Sequence, residues 1–304
     1  MQLDETRIAI RERTGLEVLD LALTLLRAFL KPCLTLFVMG VAPFFLWNLA
    51  ITFWMPLRGS EQATYDVSSS MFRYLWAQGL LVFIQAPLAC SLVTAFLGKA
   101  AFETAPSYTE VWKDVRSSTS NLLWCLGTVR MAIPGSLLLL LTDREVSFHV
   151  EIELMLMGAV CGFAALARMG RPFLPEIIIL EKNPYTSRNR ETVTVVRRNR
   201  HLHSLNSGEL VVRYAASAFV SFVLFISIYY TLFYAQGVFT NVWAQNTTFM
   251  LYFTIPIAIW SAALYVTLAR YLNYLDQRIR YEGWEVELKL RAEGRRLQAV
   301  PFAE

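Results

Sequence analysis

Six long apolar stretches of this chain contain almost no charged residues, and they limit its fold more than any other feature. They cover residues 34–54, 75–97, 122–141, 152–166, 214–234 and 248–269. An α-helix needs roughly 20 apolar residues to cross about 30 Å of hydrocarbon. The hydrophobic set makes up 55% of the 304 residues, whereas soluble domains sit near about 45–50%. The sequence therefore predicts an all-α, polytopic membrane protein with six transmembrane helices and additional interfacial amphipathic helices.

Lys and Arg are distributed very unevenly between the segments that connect these stretches. Of the 28 such residues, 24 fall before the first stretch, between the second and third, between the fourth and fifth, or after the sixth. Arg58, Arg73 and Arg144 fall on the opposite side, and Arg130 lies within the third stretch. Because cytoplasmic loops carry the excess of Lys and Arg, both termini are predicted to be cytoplasmic.

The same pattern divides the chain into three regions. Residues 1–32 are expected to form a cytoplasmic segment with an amphipathic helix, 33–272 the transmembrane domain, and 273–304 a charged cytoplasmic helix. A basic cytoplasmic loop, 168–213, separates the fourth and fifth spans. The apolar part of 171–181 is too short to cross a bilayer, so it is either re-entrant or interfacial.

Capping signals predict amphipathic helices beside the spans. Thr14 and Glu17 match a T-x-x-E capping box, and the polar residues that follow recur every three or four positions. Ser107 and Glu110 predict a second capping box. A helix of this kind, largely apolar with one polar stripe, is expected to lie in the plane of the membrane interface.

The two ends of the chain resemble a known family. The opening "GLEVLDLALTLLRAFLKP" and the closing "YLDQRIRYEGWEVEL" resemble those of bacterial multi-span proteins related to the membrane domain of glycerophosphoryl diester phosphodiesterases. "FLGKAAFETAPSYTEVWKDVR" and "PFLPEIIILEKNP" resemble inner loops of that family, whereas the region after Thr186 is longer and more basic. The resemblance implies the bacterial inner membrane. It implies no enzymatic activity, because the phosphodiesterase chemistry of those fusions belongs to a separate soluble barrel.

The family's opening and closing segments are candidates for docking other proteins on the cytoplasmic face. By resemblance, Glu17 and Asp20 match the opening acids, and Asp276 matches the first acid of the closing segment. Partners are predicted to be other membrane proteins or a second copy of the chain. The predicted docking residues are Glu17, Asp20, Asp276, Arg278, Arg280, Glu282, Trp284 and Glu285.

Arg130 is the residue that most suggests a functional site inside the membrane. A charge within a span is costly, so it either contacts an anion inside the bundle or reaches back to lipid phosphates at the inner interface. We predict a polar site of Arg130, Gln85 and Glu181, with Glu17, Asp20 or Glu181 as the acid that pairs with Arg130. Prolines within four spans, which free backbone carbonyls, would either serve packing or bind a solute. These are Pro43, Pro87, Pro134 and Pro256.

The basic loop is expected to contact anionic lipids rather than nucleic acid, because each Lys or Arg at the inner surface contributes about 1 kcal/mol toward anionic lipid. The predicted contacts are Arg188, Arg190, Arg197, Arg198 and Arg200. The four cysteines show no close pairing, and no metal or cofactor motif is present, so no cofactor is predicted.

Two functions follow from these features. The first is a non-enzymatic scaffold or assembly subunit that docks partners on the cytoplasmic face. The alternative is a transporter or lipid-handling protein with a cavity around Arg130. A closed, tightly packed bundle would favour the scaffold, whereas a polar cavity reaching the midplane would favour transport.

Overall fold

The computed structural model describes residues 13–58, 66–101, 103, 106–141, 150–185, 192–203, 207–244 and 247–283. All regular structure in these ranges is helical, which confirms the predicted class. The helices are α1 (Gly15–Ala28), α2 (Leu30–Thr52), α3 (Trp54–Arg58), α4 (Asp66–Ala89), α5 (Ser91–Ala100), α6 (Tyr108–Leu122), α7 (Ala132–Leu141), α8 (Val150–Gly170), α9 (Leu174–Glu176), α10 (Val195–His203), α11 (Ser207–Thr240) and α12 (Ile255–Glu282). Short π-helical segments occupy Leu123–Thr128, Ile177–Glu181 and Met250–Thr254.

Four to six helical stretches in the described residues are long and apolar enough to cross a membrane. Four do so as single helices: Leu30–Pro56, Ile152–Gly170, Gly208–Thr240 and Met250–Glu282. Two bent pairs qualify when each is counted as one span: Met71–Ala89 with Ser91–Ala100, and Tyr108–Thr128 with Ala132–Leu141. The protein is therefore an integral, multi-pass membrane protein, and the six predicted spans correspond to counting both bent pairs.

The second and third predicted spans bend at interruptions of their hydrogen-bond ladders. The axis turns by 42° between α4 and α5 and by 51° before α7. Pro134 has no N–H to donate to the carbonyl of Arg130, four residues earlier, and the helix breaks there. Met131, with φ 66°, lies in the left-handed region, which costs a non-glycine residue roughly 1–2 kcal/mol. The break places Arg130 at a helix end within the bundle.

α12 forms the centre of the bundle. In its most apolar window 61% of residues are buried, against 11% in the corresponding window of α11. α12 packs against α1, α4, α5 and α11. Large apolar side chains such as Phe219 and Phe239 of α11 are exposed, as expected for a helix that faces lipid.

One acidic residue at the start of the fourth span is buried by pairing. Glu153 of α8 is 4% exposed, and its Oε2 lies 2.7 Å from Nη2 of Arg73 on α4. The guanidinium of Arg73 also lies 4.9 Å from the ring centroid of Trp54. Because charges within spans are found paired or facing the protein interior, this pair explains how an apolar helix can carry an acid.

The first predicted capping box is confirmed and the second is wrong. Thr14 Oγ1 accepts from the N–H of Glu17, whose carboxylate accepts from the N–H of Thr14 at 2.9 Å. Ser107 makes no capping bond, because its hydroxyl lies 2.7 Å from that of Thr109. Glu110 instead binds Lys99 at 2.7 Å. A contact with a residue distant in sequence thus replaces the local one.

Candidate functional site

A chamber of about 660 Å³ lies between α4, α8, α11 and α12. Its walls are mainly apolar, and the charged side chains among the described lining residues all lie at one end. Its apolar lining includes Leu75, Val82, Phe83, Phe222, Phe225 and Ile259. We call this space the chamber throughout.

The depth of the chamber follows from the residues of α12 that line it. They run from Ile259 to Arg270, a distance of about 16 Å at ~1.5 Å per residue. Half of a typical hydrocarbon core is about 15 Å thick. The chamber therefore extends over approximately the depth of one leaflet.

The charged end of the chamber is built by three arginines from different elements. Arg130 follows the π-helical segment Leu123–Thr128, Arg168 lies near the end of α8, and Arg270 belongs to α12. Arg130 and Arg270 are buried, with 3% and 7% of their surface exposed, and Arg168 is partly buried. The three guanidinium groups interact electrostatically with one another. We call them the arginine cluster.

Two of these arginines bind backbone carbonyls. Arg130 Nη2 donates to the carbonyl of Arg171, which lies between α8 and α9. Arg168 Nη2 donates to the carbonyl of Phe83, four residues before Pro87, and its guanidinium lies 3.9 Å from the Phe83 ring centroid. Because Pro87 has no N–H, the Phe83 carbonyl has no helical partner and is open to a side-chain donor. At Pro87, therefore, a kink positions a charged side chain.

The third arginine is held by a buried carboxylate. Arg270 Nε donates to Glu176 Oε1 at 2.7 Å, and Glu176 has no exposed surface. Several polar atoms around the cluster have no hydrogen-bond partner in the described residues. They are Arg130 Nε, Arg270 Nη2, Glu176 Oε2 and the hydroxyl of Tyr214. Because unpartnered buried polar atoms are rare in proteins, their concentration here marks a site.

The chamber is bordered by side chains that also reach the surface of the bundle. Met169 of α8 and Phe222 of α11 both line the chamber, and both are largely exposed. α8 packs on α4, whereas α11 packs on α12. The opening therefore lies between α8 and α11, on the side that faces lipid.

The structure brings together only part of the predicted polar site. Arg130 lines the chamber, but Gln85 is buried elsewhere and is not among the lining residues. None of the acids predicted to pair with Arg130 does so. Glu17 caps α1, Asp20 is exposed, and Glu181 accepts from Arg198 at 2.7 Å. The acid that interacts with Arg130 is Glu176.

Most of the predicted docking residues make contacts within the chain. Asp276 has no exposed surface and binds the Arg13 N–H at 2.8 Å and Arg213 Nη1 at 2.7 Å. Arg213 also donates to the Arg13 carbonyl and to Asn273, and Arg280 lies 3.1 Å from Asp276. We call this group the terminal clasp, because it joins the start of α1 to the end of α12.

A second ionic cluster joins the basic loop to α12. Arg198 donates to Glu181 and to Glu282, and Arg278 binds Glu282 at 2.8 Å. Burial opposes the charge of Arg198, but its bonds to the two carboxylates outweigh burial and raise its pKa above the ordinary arginine value. Arg198, predicted to contact lipid, is thus bound within the protein. The docking roles stay predictions, with Asp20 the exposed acid of α1.

Some predicted site residues lie on other surfaces or outside the described ranges. Arg197 and Arg200 are exposed on α10, as a lipid contact requires, and that role stays a prediction. Arg188 and Arg190, predicted to contact lipid, and Trp284 and Glu285, predicted to dock partners, lie outside the described residues.

Four residues of the site are not singled out by the sequence pattern: Arg168, Arg270, Glu176 and Tyr214. In the sequence, the two arginines stand out only as charges that set the topology. Their signal was position: Arg270 directly follows the sixth apolar stretch, and Arg168 follows the fourth by two residues. Both could have been compared with Arg130 as arginines at the depth of the membrane boundary.

Comparisons of the chain with protein-family models, with curated proteins and with solved structures found no match. The family resemblance of the opening and closing segments therefore stays a prediction.

Proposed function

We propose that this protein is a lipid-handling membrane protein that takes an amphiphile from the bilayer into the chamber. The observation that carries this proposal is the shape and polarity of the chamber: apolar walls over one leaflet depth, ending in buried arginines. An amphiphile has the same division between an apolar tail and a polar head. The proposed role involves binding and transfer, without covalent chemistry.

The alternative role as a scaffold ranks second for a physical reason. Docking requires exposed groups, whereas Asp276, Arg280 and Glu282 are engaged by other parts of the same chain. The polar cavity expected for transport of a solute differs from the chamber, whose walls are mainly apolar and which Gln85 does not line. An apolar chamber that reaches Arg130 supports the handling of lipid.

We further propose that the protein lies in the bacterial inner membrane with both termini in the cytoplasm. The orientation is supported by the 24 of 28 Lys and Arg residues that fall on one side of the predicted spans, and the choice of membrane rests on the resemblance of the opening and closing segments. Fusions of a reporter that is active only in the cytoplasm should be active at either end and inactive when inserted after residue 144. An active reporter in the internal fusion, or an inactive reporter in either terminal fusion, would refute this orientation.

Filling the chamber tests the proposed function directly. Gly79 lines the chamber, and a Cβ added there meets no atom within 4 Å. A Gly79→Phe side chain should occupy the space and reduce co-purifying lipid roughly tenfold, since overpacking a site costs about 1–3 kcal/mol. Mass spectrometry of the protein purified in mild detergent measures the amount of lipid per chain.

Gly158 provides a matched control. It lies on α8, is exposed, does not line the chamber, and has equally open space around its Cβ. Gly158→Phe should leave the amount of bound lipid unchanged. Equal lipid content in the two folded variants would mean that lipid is held on the outer surface, and the proposed function would then be wrong.

A further inference from the structure

The arginine cluster carries more positive charge than its surroundings neutralise. Three guanidinium groups converge there, and in the described residues Glu176 supplies the carboxylate that binds one of them. Among the described residues, this leaves two positive charges in excess at the charged end of the chamber. Because buried charges are stable only when paired, the cluster calls for an anionic ligand.

Three side chains at the charged end of the chamber offer hydrogen-bond donors to such a ligand. Arg130 Nε, Arg270 Nη2 and the Tyr214 hydroxyl have no hydrogen-bond partner within the described part of the chain, and all three side chains line the chamber. Arg130 is held through Nη2 and Arg270 through Nε, so in both the unpartnered nitrogen is not the one that binds the protein, and Arg168 is held through Nη2. The cluster is therefore built in advance and keeps free donors, which favours recognition of an anion with several acceptor oxygens.

The charge of the cluster distinguishes between kinds of anion. A phosphate monoester carries about −1.5 to −2 charges near neutral pH and has three strongly accepting oxygens. A phosphate diester or a carboxylate carries a single negative charge. The excess of two positive charges therefore matches the monoester better than either alternative.

We propose that the arginine cluster binds the phosphate monoester headgroup of a lipid whose tail occupies the apolar part of the chamber. This proposal rests on the proposed function and specifies its ligand class. The lateral opening between α8 and α11 admits the tail from the bilayer, and the depth of about one leaflet accommodates it.

Four soluble probes separate the parts of this proposal. They are dioctanoyl phosphatidic acid, a monoester; dioctanoyl phosphatidylglycerol, a diester; dioctanoylglycerol, which has tails but no anion; and inorganic phosphate, which has no tail. The full chain is purified in an uncharged detergent, and binding is followed as the rise in Tm with probe concentration. Dioctanoyl phosphatidic acid should bind roughly tenfold more tightly than the diester, as expected for one further charged contact.

Substitutions at Arg168 test the cluster itself. Arg168→Gln should weaken binding of dioctanoyl phosphatidic acid roughly ten- to hundredfold and leave dioctanoylglycerol binding unchanged. Arg168→Lys keeps the charge but loses the planar guanidinium. Its affinity for dioctanoyl phosphatidic acid should therefore lie between those of the natural chain and Arg168→Gln. Arg116, exposed on α6 and not lining the chamber, provides the control Arg116→Gln, which should bind like the natural chain.

The outcomes distinguish this proposal from the function on which it rests. Equal affinity for dioctanoylglycerol and dioctanoyl phosphatidic acid would overturn the phosphate site and leave lipid binding intact. Equal affinity for the diester would overturn the monoester assignment, and equal affinity for inorganic phosphate would overturn the lipid source. Failure of every probe that has a tail would overturn the proposed function as well. Unchanged binding in both folded Arg168 variants would exclude this arginine from the site.

Discussion

Replacing Asp276 with alanine is expected to lower the free energy of unfolding by about 3–5 kcal/mol, the range found when one partner of a buried ion pair is removed. Asp276 has no exposed surface and accepts from Arg213 Nη1 at 2.7 Å and from the Arg13 N–H at 2.8 Å. Its loss removes the fully buried of the two carboxylates that bind Arg213, the other being the more exposed Glu209, and it also removes the acceptor of the Arg13 N–H. Thermal unfolding in detergent should show a large decrease in Tm.

Asp20 supplies the control for this substitution. It is an exposed carboxylate on α1, so Asp20→Ala should change the free energy of unfolding by less than about 0.5 kcal/mol, as is usual for surface positions. If Asp276→Ala and Asp20→Ala unfolded at similar temperatures, the terminal clasp would have no role in stability.

Replacing Gly40 with valine should lower the free energy of unfolding by about 3 kcal/mol, the upper part of the range for overpacking. A Cβ on Gly40 would lie 2.2 Å from the carbonyl oxygen of Ala89 and 3.4 Å from its carbon. The obstructing oxygen belongs to the backbone of α4, so no side-chain rotation can relieve the overlap. α2 and α4 would have to move apart, and the contacts between them would be lost.

Gly158→Val is the matched control, since a Cβ there meets no atom within 4 Å. It introduces the same side chain on an exposed helical face, and we expect no loss of stability. The measurement is again Tm in detergent, combined with the fraction of protein that elutes as a single species. Gly40→Val with the Tm of the natural chain would contradict the close approach of α2 to α4.

The parts of the fold that depend on neighbouring residues were predictable from the sequence. The start of α1 follows from Thr14 and Glu17, three positions apart, and both bonds of the capping box are present. Ser107 and Glu110 have the same spacing, yet Lys99 of α5 binds Glu110. A capping sequence shows that a local hydrogen bond is possible. In the folded chain, however, a residue of another helix can bind the same side chain instead.

The candidate site was predictable only in outline. Arg130 was conspicuous because it interrupts an apolar stretch, but its surroundings come from α8, α9 and α12. The distances that join Arg130, Arg270 and Glu176 are set by how these helices pack. Glu176 was hidden because the segment that contains it is too short to cross the membrane, so its burial could not be inferred from hydropathy.

The role of the prolines also could not be predicted from the sequence alone. Their positions within the spans predict free backbone carbonyls, but not whether these carbonyls serve packing or binding. The carbonyl of Phe83 binds Arg168, which could be seen only once α8 was placed beside α4.

The terminal clasp also has a consequence for how the chain is made. Arg13 and Asp276 are separated by 263 positions, so the N-terminal amphipathic helix emerges from the ribosome long before its acceptor exists. During synthesis, the start of α1 cannot form this bond until the last helix has been made. A chain that stops before Asp276 would lack the acceptor for the Arg13 N–H, so the start of its first helix would be less firmly held.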